Sequence, residues 1–128
     1  MAQIEKTVSF IQKILGSNLN TIDAGYKTYS LQVVKGLKEG EQKCYGLTDF
    51  DLGKLSIEKE MDDQLARETL LHELMHIAFE LTGLGGEEMT GLVAEQTNEE
   101  LTTRATRGLL LLMNLNKELF EVILNEHK

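Results

Sequence analysis

His72-Glu73-Leu74-Met75-His76 is the stretch around which the rest of the chain is read. It has the form HExxH and holds two of the chain's three histidines. Residues four apart on an α-helix share a face, with Cβ atoms about 5–6 Å apart, so the two imidazoles can converge on one metal ion. Glu73 stands about 100° further round the helix. From there it can hold a metal-coordinated water as general base. The flanking residues favour a helix over 62–82: Asp62 or Asp63 can cap its start and Gly83 can end it. Leu70, Leu74, Ile77 and Leu81 form one apolar stripe, widened by Leu71, Met75 and Ala78. The histidines fall on the other side, beside Leu65, Thr69 and Phe79. This pattern predicts a central helix with its histidine face lining a cavity.

Outward from that helix, the chain reads as one domain over 1–128. Ile4, Val8, Ile11 and Leu15, with Phe10 and Ile14, have helical spacing, which predicts an amphipathic helix over 1–15 that ends near Gly16-Ser17-Asn18. Between 26 and 59 the pattern turns to alternation. Tyr29, Leu31 and Val33 alternate with polar residues, 43–48 can return as a second strand, and Leu55 and Ile57 mark a third. Turns are expected at 38–41 and 49–53. The fold class read from this is α+β: a small three-stranded, mostly antiparallel sheet packed on the central HExxH helix, with further C-terminal helices over 97–126. An edge strand beside the metal could hold an extended peptide by β-augmentation.

A catalytic zinc usually has three protein ligands and an open position. No third histidine follows at close spacing, so a carboxylate from a later helix is the candidate, and Glu87, Glu88, Glu95, Glu99 and Glu100 are available. Glu100 lies four residues before Arg104 and suits a surface ion pair, or a capping box with Thr97. Glu99 shares a stripe with Thr102, Thr103, Thr106, Leu110 and Met113, uncharged after Glu99 itself. Glu99 is the first choice on that ground, and Glu95, one turn earlier, is the runner-up. Tyr26, Tyr29, Tyr45, Arg104 and Arg107 are the candidates for steadying an oxyanion, and the sequence does not choose among them.

Composition excludes some functions. Thirteen basic against 21 acidic residues give a net charge of −8 and no basic patch, which argues against nucleic-acid binding. The longest strictly apolar run, over 109–113, is too short to span a bilayer. Cys44 is the only cysteine, so no internal disulfide forms, which fits a reducing compartment. With no secretory pattern in residues 1–15, the expected location is cytoplasmic.

HELMH followed by a glutamate on a later helix resembles the gluzincin group of zinc peptidases. More narrowly, the chain is similar to small phage- and prophage-encoded zincin-like proteins related to the ImmA/IrrE metallopeptidases. The matching pieces are Leu55-Ser56-Ile57, the segment from Glu68 to His76, and Asn98-Glu99-Glu100-Leu101 leading to Gly108-Leu109. The resemblance implies zinc on His72, His76 and Glu99, Glu73 as base, and peptide-bond hydrolysis of a repressor-type regulator. The chain departs from the pattern at Thr103, where family members often carry Asn or Asp, and at Leu74-Met75. Two rival readings follow: a catalytically inactive zincin-like protein with structural zinc, and a metal-free interaction or inhibitor module of the phage type.

Overall fold

The computed structural model describes residues 9–83 and 98–124, with the side chains of Asn98 and Glu99 outside that description. The fold is α+β, and α2 (Asp63–Leu81) is the element that the others pack against. Its first turn is closed by the Asp62 carboxylate, which accepts from the Leu65 amide at 2.8 Å. It ends at Thr82, and Gly83 takes the left-handed conformation (φ +78°) that favours glycine after a helix. Of the predicted apolar stripe, Leu70, Leu74, Ile77 and Ala78 are buried, Met75 and Leu81 are half-buried, and Leu71 is exposed. Each wholly buried leucine gains about 2 kcal/mol from leaving water.

Among the described residues three further helices pack around α2. The first, α1 (Phe10–Leu15), starts in a capping box between Ser9 and Gln12, and Asp63 at the head of α2 accepts the Phe10 amide at 3.0 Å. The other two are α3 (Asn98–Leu115) and α4 (Lys117–Leu124). Arg67 of α2 donates to the Val122 and Ile123 carbonyls at the end of α4, where the helix dipole favours a cation, and lies 5.0 Å from the Phe10 ring centre. Gly108 lets α3 lie on α2: a Cβ there would sit 2.6 Å from the Ala78 carbonyl oxygen.

The sheet differs from the sequence expectation. Among the described residues it has four strands, not three, and its central pair is parallel. The strands are β1 (Thr21–Asp23), β2 (Thr28–Val34), β5 (Gly46–Asp49) and β6 (Lys54–Glu58). β1 pairs antiparallel with β2, β2 parallel with β6 (Leu31 opposite Leu55, Val33 opposite Ile57), and β6 antiparallel with β5. β1 escaped notice because three residues are too few to show alternation. The parallel pair did so because strand direction is settled by the crossover through residues 35–53, and a local pattern carries no direction. The expected strand over 43–48 is divided: β3 (Lys38–Glu39) and β4 (Gln42–Lys43) form a separate hairpin turning at Gly40 (φ +65°), and β5 begins only at Gly46. Leu55 and Ile57 of β6 are wholly buried in the same core cluster as Leu70, Leu74 and Ile77. Among the described residues no helix is long and apolar enough to cross a membrane.

Candidate metal centre

His72 and His76 lie on the exposed side of α2, one turn apart. Their rings are nearly perpendicular (80°), with centres 4.8 Å apart, and their Nε2 atoms approach to 3.2 Å. Two imidazole nitrogens on one tetrahedral zinc, each about 2.0–2.1 Å from the ion, stand about 3.3 Å apart. The observed spacing is therefore compatible with a shared ion. Glu73 completes a group whose ligand atoms all lie within 4.8 Å of one another.

Glu73 is buried, unlike its two neighbours in the motif. Its Oε1 accepts a 2.7 Å hydrogen bond from the Thr48 hydroxyl of β5. That bond requires β5 to lie directly on α2, and Gly46 is what allows it. A Cβ at Gly46 would meet Thr69 Cγ2 at 2.8 Å, Glu73 Cγ at 2.9 Å and Glu73 Oε2 at 3.1 Å. No side chain larger than hydrogen fits without moving the strand or the glutamate. β5 is also an edge of the sheet. The Glu58 amide donates to the Tyr45 carbonyl at 2.7 Å. Antiparallel alternation then turns the backbone groups of Tyr45, Leu47 and Asp49 toward β6, and those of Gly46 and Thr48 toward the open side.

The expected cavity is an open groove of about 340 Å³ between β5 and α2, lined by Tyr45, Leu65, Glu68, Thr69, His72 and Glu73. A larger hollow of about 490 Å³ lies beside the β3–β4 hairpin, among Lys35, Lys43, Cys44, Tyr45, Glu58 and Glu60. Among the described residues it holds no group of three ligand side chains close enough to share an ion. Burial, and after it the charges of Glu39, Glu73 and Glu58, push the Cys44 thiol up, so it stays protonated at neutral pH and is a poor nucleophile. The smaller groove is the one with chemistry.

The other expected site residues divide. Glu99 falls in the first turn of α3, but its side chain is outside the described structure, and Glu87, Glu88 and Glu95 lie outside it altogether. Glu100 is exposed. Most of the uncharged stripe that singled out Glu99 is exposed, at Thr102, Thr103, Thr106 and Leu110, while Met113 is half-buried against the core; among the described residues the buried positions of α3 are Gly108 and Leu112. Of the oxyanion candidates, Tyr45 alone lines the groove; Tyr29 is wholly buried in the core, and Tyr26, Arg104 and Arg107 are exposed elsewhere. Thr48, Gly46 and Glu68 were not singled out from sequence. Only Gly46 carries a signal there, since glycine inside a strand marks close backbone approach.

Comparison of the chain with protein-family models, characterised proteins and solved structures gave no match.

Proposed function

We propose that the chain is a zinc-dependent peptidase centred on His72, Glu73 and His76, with Glu99 as the further ligand and Glu95 as the alternative. The observation that carries this reading is the 3.2 Å approach of the two Nε2 atoms beside a buried carboxylate. Two imidazoles and a carboxylate suit zinc. When bound, the ion supplies a Lewis acid that acidifies water and polarises a peptide carbonyl.

The chain's own residues do the rest. Thr48 holds Oε1 of Glu73, so the base presents Oε2. Oε2 takes a proton from the attacking water and returns it to the departing amine, so the carboxylate ends the cycle unchanged. The open edge of β5 offers the Gly46 and Thr48 backbone groups to an extended peptide, which would lie across the histidines as an added strand. A regulator protein of the repressor type is the proposed substrate, on the strength of the motif resemblance alone.

Glu73→Gln keeps the shape and the two imidazoles but cannot accept the proton. The expected outcome is unchanged zinc content with turnover of a peptide mixture lowered about 10²- to 10⁴-fold. Full proteolysis by that variant would rule out the mechanism. A second reading rests on the same spacing: 3.2 Å also suits one hydrogen bond between imidazoles, in a metal-free interaction module. Elemental analysis of the purified protein separates the two.

A further inference from the structure

The two faces of β5 differ in what they present. Gly46 pairs with Ile57 and Thr48 with Leu55, both core residues of β6, so Gly46 and Thr48 face α2. Alternation then directs the Tyr45 and Leu47 side chains to the outer face of the sheet, with their pair partners Glu58 and Ser56. Tyr45 is 57% exposed, Leu47 is half-buried, and neither belongs to the core cluster. They stand two residues apart, about 7 Å along the strand, as an apolar pair beside the open edge.

The edge dictates the kind of occupant. Gly46 and Thr48 carry its outward N–H and C=O groups, and another extended backbone supplies matching donors and acceptors at that spacing. The segment from Tyr45 to Asp49 holds no lysine and no proline, two residues with which proteins block an edge. In an antiparallel added strand, the residues opposite Gly46 and Thr48 exchange hydrogen bonds with them. The residues opposite Tyr45 and Leu47 then form the non-hydrogen-bonded pairs, in which Cα atoms come to about 4.5 Å and side chains approach most closely. Directly paired residues share a face. One incoming side chain therefore meets the phenol ring and another meets Leu47, both on the outer face. The residue between them, opposite Gly46, turns toward the histidine side.

Resting on the peptidase reading, we infer that Tyr45 and Leu47 set the substrate preference from the outer face of the sheet. The substrate class is an extended peptide with two apolar side chains two residues apart, bracketing the residue turned toward the histidines. Aromatic and β-branched side chains suit both positions, because such cross-strand pairs are the favourable ones.

The test uses the full-length protein, with and without zinc loading, and two capped serine heptapeptides that each carry two isoleucines. In one the isoleucines are two residues apart; in the other they are adjacent, so that only one can face outward. Binding is followed by amide shifts in nuclear magnetic resonance, and cleavage by mass spectrometry. The spaced peptide should bind about threefold more tightly, with shifts at Gly46 and Thr48. Tyr45→Ser combined with Leu47→Ser removes both apolar surfaces without touching the core or the α2 face, and should erase the difference. Leu47→Val keeps an apolar β-former and should retain it. Equal binding of the two peptides by the parent, or a preference that survives the double serine variant, would overturn the inference. A preference for the spaced peptide without cleavage would uphold the inference and remove the peptidase; cleavage of both peptides at equal rates would do the reverse.

Discussion

At one side of the sheet the Asn116 side chain, between α3 and α4, takes the place of a further strand. Its Oδ1 accepts the Asp23 amide and its Nδ2 donates to the Asp23 and Leu112 carbonyls, all at 2.8 Å. At the other side β5 has no such cover among the described residues, and its unpaired backbone lies over the helix that carries the histidines. An exposed edge is a liability that proteins usually close. Here β1 is capped at Asp23 by one amide side chain, and among the described residues β5 is left open where a glycine and a threonine meet the buried glutamate. The β1 edge is built for stability. The peptidase reading assigns substrate access to the β5 edge, and substitutions at the two should have separable consequences.

Gly46→Ala should have the largest effect. The added methyl must displace Thr69, Glu73 or the strand by several tenths of an ångström. Overpacking of this kind costs about 1–3 kcal/mol in stability, and misplacing a catalytic group by about 1 Å can lower turnover about 10²-fold. A variant with normal urea midpoint and normal rate would mean that β5 does not press on Glu73. Asn116→Ala comes next, with the opposite profile. Loss of three hydrogen bonds should lower unfolding free energy by about 2 kcal/mol, and peptide turnover should stay within twofold of the parent. A fall in rate as large as that of Gly46→Ala would dissolve the distinction between the edges. Thr48→Val is the finest test. It keeps the shape of the side chain and removes the donor to Oε1, so turnover should fall about tenfold, a loss of about 1.4 kcal/mol in transition-state stabilisation, with zinc content unchanged. Thr48→Ser should restore most of the rate; equal rates for valine and threonine at this position would leave the hydroxyl without a positioning role.

What could be read in advance follows the range of the interactions involved. The helix over 62–82 was legible because its evidence is local: caps at Asp62 and Gly83, and an apolar stripe repeating every turn; the observed span is Asp63–Leu81. The convergence of His72 and His76 follows from the same geometry. The sheet was half legible. Alternation located β2 and β6, but nothing within either segment says that they run parallel, or that Asn116, 93 residues away, completes β1. Thr48 could not be picked out, because its significance lies in what another element brings near it. Tyr45 stood among five oxyanion candidates, and only the fold separates it from Tyr29, which points into the core. The choice of Glu99 rested on a stripe of which Thr102, Thr103, Thr106 and Leu110 prove to be exposed and Met113 alone of its described residues meets the core, so its main support is the spacing of the motif.

The most direct test of the shared-ion centre is zinc stoichiometry, measured by elemental analysis on the purified parent, on His72→Ala and on His76→Ala, with circular dichroism to verify that each is folded. The expected result is about one zinc per chain in the parent and loss of most of it in either variant, because a lone imidazole cannot replace a convergent pair. A folded parent that holds no zinc after metal loading, or a His72→Ala variant that binds it as fully as the parent, would contradict the centre.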